Sequence, residues 1–183
     1  GREAIAGGCV MLCLGEMGIG NTTIAAALAC GLFGGTGEDW VGPGTGVDGA
    51  GLKRKADAVN KAISLNKGHL DDALEVLRRL GGRELAAMAG AILGARVQNV
   101  PVIVDGYVAT AAAAVLYKAD KSALDHCLFG HVSAEPAHAR LLKEMGKDAL
   151  LNLGMRLGEA SGAAVGAGGV KAARACHSVV EPF

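Results

Sequence analysis

The polarity of the chain switches between two periods. Residues 9–14 form a continuous apolar run, as expected of a parallel strand covered on both faces. Asn21 or Thr22 can cap the helix that follows, and Gly34 can end it. Over residues 51–65 the pattern becomes that of an amphipathic helix, with Leu52, Ala56, Val59 and Ile63 on one face. Residues 71–80 start at an acidic cap and stop at Gly81-Gly82. Residues 83–97 are small and apolar almost all round, which predicts a buried helix. "PVIVDG" at residues 101–106 predicts a second strand, with an alanine-rich helix over residues 109–117. Residues 126–130 predict a third strand, followed by a helix capped by Ser133. Residues 149–155 predict a fourth, with Glu159 just beyond its end.

This alternation predicts an α/β fold with a mostly parallel, Rossmann-like sheet flanked by helices. Ligands in such folds bind outside the carboxyl ends of the strands. The loops there hold Glu16, Asp105, His131 and Glu159.

Composition then narrows the partners. Lys+Arg and Asp+Glu both count 18, which argues against a nucleic acid held by bulk charge. No apolar stretch reaches the ~18 residues needed to span a bilayer. Arg2 and Glu3 precede only a short apolar run, so no signal peptide is expected. The five cysteines are odd in number and lack the close pairs of a zinc site, and they read as reduced thiols of a cytoplasmic protein. The 29 glycines are more than double the usual share of ~7%, and many fall in tight loops where a backbone can approach a ligand.

Three glycine-rich stretches carry candidate chemistry. In "GEMGIGNTT", residues 15–23, Gly15 and Gly20 keep the spacing of a phosphate-binding loop and Thr22 keeps its hydroxyl. Asn21 stands where the lysine for the outer phosphates belongs, which favours a single phosphate over a triphosphate. The same residues also suit a tight strand-to-helix turn without a ligand. "VGPGTG", residues 41–46, leads to Lys53, Arg54 and Lys55 in the expected first helical turn. Cations there oppose the helix dipole unless an anion lies nearby or the side chains reach water. In "MRLGEASGAA", residues 155–164, Glu159 sits among small and apolar residues. It reads either as a general base with a raised pKa or as an acidic residue at a helix start. His126, His131 and His138, with Glu135 between the last two, match no standard metal-ligand spacing. His131 is expected in a loop at the pocket rim and His138 on a helix surface. A dinucleotide-dependent oxidoreductase would need Gly-x-Gly-x-x-Gly, which residues 15–20 lack, although Glu38 and Asp39 stand at about the right distance for its acidic partner.

These stretches occur in one order with "RKADAV", "PVIVDGYVATAAA" and "GHVSAEPAH". Together they closely resemble the nicotinate-nucleotide–dimethylbenzimidazole phosphoribosyltransferase family, over nearly the whole chain. The resemblance implies transfer of the phosphoribosyl group of nicotinate mononucleotide to 5,6-dimethylbenzimidazole, giving α-ribazole 5′-phosphate and nicotinate. It assigns the proton-accepting glutamate to Glu159 and a supporting role near the ribose to Glu16. It makes Lys55 a phosphate or carboxylate partner. Gly18, Gly20, Asn21, Thr22, Gly44, Asp105 and Leu157 would line the substrate site. No metal or cofactor is required, because the pyridinium leaving group is already activated. The family's "GEGSGAA" reads "GEASGAA" here, with Ala160 in place of a glycine.

The resemblance also implies that residues 1–160 form the mononucleotide-binding domain and that residues 161–183 contribute to a smaller helical domain. The family's N-terminal portion, which supplies much of the benzimidazole pocket, is expected to be missing. The chain is therefore expected to act as a homodimer or with an N-terminal polypeptide, without nucleic acid or membrane. The rival expectation is a mononucleotide-binding subunit or fragment that needs a partner for turnover.

Overall fold

A computed structural model describes residues 7–44 and 46–179 of the chain. The readings of Arg2 and Glu3, of Thr45 in the second glycine loop, and of residues 180–183 in the C-terminal segment lie outside the described residues.

Strand β1 (Leu12–Leu14) leads into helix α1 (Asn21–Phe33), then α2 (Gly37–Trp40), α3 (Gly49–Asn66), α4 (Ala73–Leu80) and α5 (Arg83–Val97). Strand β2 (Val102–Val104) is followed by α6 (Tyr107–Ala119), β3 (Cys127–His131) by α7 (Pro136–Glu144), and β4 (Ala149–Leu151) by α8 (Ser161–Val179). All neighbouring strands pair in parallel, and their order in the sheet is their order in the chain. With right-handed crossovers, that order puts the connecting helices on one face. The expected parallel α/β architecture is present.

Small residues bring the central helices close. Residues 107–116 of α6 are all buried, and α1, which packs against α6, buries Ala25, Ala26, Leu28 and Ala29. Trp40 and Phe129 are the largest fully buried side chains, and the Trp40 indole donates to Gly34 O at 2.8 Å. The opposite face of the sheet carries the start of α8. Ala163 and Gly166 are buried there, and Cys13 Sγ approaches Ala163 O at 3.7 Å.

Several local expectations change. Neither Asn21 nor Thr22 caps α1. Gly20 does so in a left-handed conformation (φ 77°), because the Asn21 amide is engaged by carboxylates. Gly34 ends α1 as expected, its N–H reaching Cys30 O. Helix α3 starts at Gly49 under an Asp48 cap, so Lys53, Arg54 and Lys55 lie past its first turn, where the dipole has faded. Ser133 does not cap α7, since both its N–H and its hydroxyl turn to His138 Nδ1 (2.9 and 3.0 Å). Helix α5 is buried on one flank only. Leu85, Met88 and Ile92 face the core, while Leu93 and Val97 are 45% and 65% exposed. His131 ends β3 rather than lying in a loop, and His138 is fully buried rather than on a surface.

Candidate functional site

A cavity of about 810 Å³ opens at the carboxyl ends of the four strands. Residues following each strand contribute: Glu16 after β1, Gly106 after β2, Ser133 after β3 and Arg156 after β4. Helices α1 and α6 both begin at its wall, with Asn21 and Tyr107. Their unpaired N–H groups and positive dipole ends favour an anion there.

Two cations hold the second glycine loop. Lys55 reaches across from α3 and donates to Thr22 Oγ1 at 3.0 Å and Gly42 O at 3.1 Å. An ammonium has three donors, so one is uncommitted among the described residues. The Arg156 guanidinium donates to Gly44 O at 2.8 Å. Gly44 has a positive φ of 56°, and a Cβ on it would press against both Lys55 Nζ and Thr22 Oγ1 at 3.3 Å. This side joins a glycine loop, a hydroxyl and two cations, a set suited to a phosphate or carboxylate.

A cluster of carboxylates forms a second group. Asn21 Nδ2 donates to Glu16 Oε2 and lies 3.3 and 3.4 Å from the two oxygens of Glu84. Glu84, at the start of α5, also accepts the Met17 N–H at 2.9 Å, which fastens the first glycine loop. Burial pushes the Glu16 carboxyl above its ordinary pKa. The Asn21 hydrogen bond opposes this, and the charges of Glu84, Asp105 and Glu159 add to the rise. Glu159 is exposed and adopts φ 57°, followed by Ala160 at φ 62°. With Gly158 at φ 82°, three consecutive positive-φ residues lie in the turn from β4 into α8, and such a conformation costs each of the two non-glycine residues about 1–2 kcal/mol. This turn packs on Gly15, where any Cβ would overlap the Ala160 backbone.

Beneath the cavity lies a buried polar layer. Asp105 Oδ1 accepts the Ala163 N–H at 2.9 Å and sits 3.5 Å from His131 Nε2. Burial pushes the Asp105 carboxyl up, but His131 and the N–H groups of Ala163 and Gly162 outweigh it and hold it below the usual range. His138 accepts the Ser133 N–H at Nδ1, so its Nε2 carries the proton and donates to Thr110 Oγ1 at 3.0 Å. Burial drives the His138 pKa down to about 3, which keeps the ring neutral.

Of the residues singled out from the sequence, Glu16, Gly18, Gly20, Asn21 and Thr22 line the cavity together, as do Gly44, Lys55, Leu157 and Glu159. Asp105 does not. It is 0% exposed and acts on α8 from below. The sequence reading missed Arg156 and Glu84, and weighed Glu135 only beside the histidines as part of a metal site. Arg156 lay inside the quoted "MRLGE" stretch, and Glu135 stands directly before the proline that opens α7. Glu84 gave no signal, since it meets Met17 across 67 positions of chain.

Comparison with known proteins identifies the family. The family model DBI_PRT, described as "Phosphoribosyltransferase", matches residues 1–183. The nicotinate-nucleotide–dimethylbenzimidazole phosphoribosyltransferase of Sinorhizobium medicae (strain WSM419) is 68% identical over 183 residues, covering 100% of this chain and 54% of that protein. The protein of the same name from Brucella abortus (strain S19) is 67% identical with the same coverage. The crystal structure of CobT from Thermus thermophilus superposes with a TM-score of 0.88 at 42% identity, over 94% of this chain and 51% of that one. The chain thus spans about half the length of the curated relatives it matches.

Proposed function

The chain belongs to the phosphoribosyltransferase family whose model spans it, and on that premise we propose that its cavity binds nicotinate mononucleotide and transfers the phosphoribosyl group to 5,6-dimethylbenzimidazole. The observation that carries this reading is the division of one cavity wall into a cationic glycine-loop side and a carboxylate side. The first suits a 5′-phosphate, held by Lys55, Thr22 and Gly44 with Arg156. The second suits the reacting ribose and the incoming base.

In this reading one benzimidazole nitrogen attacks the anomeric carbon from the face opposite the leaving group. The new N–C bond forms as the bond to the pyridinium nitrogen breaks, and its electron pair leaves with nicotinate. The proton on the other benzimidazole nitrogen passes to Glu159. Glu16 stabilises the cationic character that develops on the ribose, and α-ribazole 5′-phosphate and nicotinate result. Leu157 and Gly158, beside Glu159, form the wall nearest that base.

We assign residues 1–160 to the mononucleotide-binding part, and residues 161–183 to the start of a smaller helical part. The free state of all five cysteines supports a reducing, cytoplasmic setting. Among the described residues no helix is long and apolar enough to cross a membrane. Exposed apolar side chains at Leu93 and Val97 on α5, and at Leu128 and Leu150 on the sheet, support assembly with a second copy or with a polypeptide that completes the benzimidazole pocket.

The test is turnover of nicotinate mononucleotide with dimethylbenzimidazole by the parent and by Glu159→Gln. A positioned base contributes about 10²–10⁴-fold, so kcat should fall by that factor while mononucleotide affinity holds. A variant that keeps most of kcat would remove Glu159 from the mechanism.

A further inference from the structure

Glu135 stands on the cavity wall at the N-cap position of α7, yet its side chain makes no capping hydrogen bond. Capping is the ordinary use of a carboxylate at that position. Its carboxylate instead turns under the second glycine loop, against Gly42, where any Cβ would overlap Oε2. Oε2 is buried there without a hydrogen-bond partner among the described residues. An unpaired buried carboxylate oxygen is costly, and an external donor to this carboxylate would offset that cost.

Among the described residues the nearby protein donors turn elsewhere. Tyr107 donates its hydroxyl to Trp40 O at 2.8 Å. The Ser133 hydroxyl pairs with His138 Nδ1. Lys55 directs two of its donors to Thr22 and to Gly42 O, and among the described residues it forms no ion pair with Glu135. A phosphate is the wrong partner for a carboxylate, since both are acceptors. A ribose hydroxyl is the right one, because its O–H donates to a carboxylate. The only neutral polyol of a mononucleotide is its ribose.

We infer that Glu135 recognises the ribose of the substrate, its carboxylate accepting the hydroxyls of the 2′,3′-diol next to the loop that Lys55 fastens. This rests on the mononucleotide reading above and adds the residue that selects a ribonucleotide over a deoxyribonucleotide.

The experiment measures dissociation constants of nicotinate mononucleotide and its 2′-deoxy counterpart for the parent, Glu135→Gln and Glu135→Ala, with thermal unfolding of each as a check on folding. The parent should prefer the ribonucleotide by about 10–100-fold, the scale of one charge-assisted hydrogen bond. Glu135→Ala should lose that preference by weakening only the ribonucleotide, with Glu135→Gln in between. Equal weakening of both ligands, or an unchanged ratio in folded variants, overturns the role of Glu135 and leaves the mononucleotide reading standing. A parent that binds neither ligand overturns both.

Discussion

Asp105→Asn tests whether one buried carboxylate fastens the last helix to the sheet. Its Oδ1 accepts the N–H of Ala163, the third residue of α8. A hydrogen bond to a charged group contributes about 1.5–3 kcal/mol against about 0.5–1.5 for a neutral one, so the amide loses about 1–1.5 kcal/mol there. The dipole of α8 favours the negative charge by up to ~2 kcal/mol at a partly buried helix end. We therefore expect a loss of about 1–3 kcal/mol, or about 2–4 °C in Tm per kcal/mol for a chain of this size. The pH dependence supplies an independent check. The folded carboxyl is held below its usual range, whereas the unfolded one titrates near ~3.9. Its contribution is thus complete above about pH 4–5 and is lost as pH falls through the lower folded value. Denaturant unfolding followed by circular dichroism should show a constant gap between parent and variant around neutral pH, narrowing below about pH 4. A variant as stable as the parent near neutrality, or a gap that fails to narrow in acid, would refute the account.

Three further outcomes follow from the geometry. Ala160→Gly should stabilise the chain by about 0.5–1 kcal/mol, since relief of ~1–2 kcal/mol of left-handed strain outweighs the ~0.5–1 kcal/mol of extra glycine entropy; a lower unfolding midpoint would contradict this. Glu84→Gln removes a like charge beside Glu16, so the Glu16 carboxyl should titrate at lower pH by carbon NMR, and an unchanged or higher midpoint would show that Glu84 does not act on it. Lys55→Ala should weaken nicotinate mononucleotide by ~1–3 kcal/mol in calorimetry while sparing the riboside that lacks the phosphate; equal loss for both would unseat the phosphate assignment.

The sheet and most helices were legible because their signals are local. The apolar run ending at Leu14 and the amphipathic face of Ala56 and Val59 need no knowledge of distant residues. Helix α5 marks the limit of that logic. Its composition is apolar all round, but composition cannot say which flank a neighbour covers, and Leu93 and Val97 are left open. The histidines failed for a related reason. His138 looks like a surface residue of a short helix until Thr110 and Ser133, from two other elements, satisfy both ring nitrogens inside the core.

The glycine excess shows best what the sequence concealed. It suggested loops held open for a ligand, and the cavity wall does contain them. Yet many of these glycines make room for the protein's own side chains. A Cβ at Gly18 would strike Glu84, one at Gly42 would strike Glu135, and one at Gly158 would strike Glu16. Gly162 lies equally close to the His131 ring. In each case the missing Cβ lets a titratable group rest against backbone at the cavity wall or just beneath it. The site is therefore built twice over from glycine: by loops that expose N–H groups, and by gaps that seat the carboxylates and the imidazole. Neither use can be told from the other by spacing, because the residue that fills each gap comes from elsewhere in the fold. A methyl group added at Gly42 would press on the loop that Lys55 fastens and on the carboxylate of Glu135 together, which ties the cationic side of the cavity to the Glu135 carboxylate through a single position.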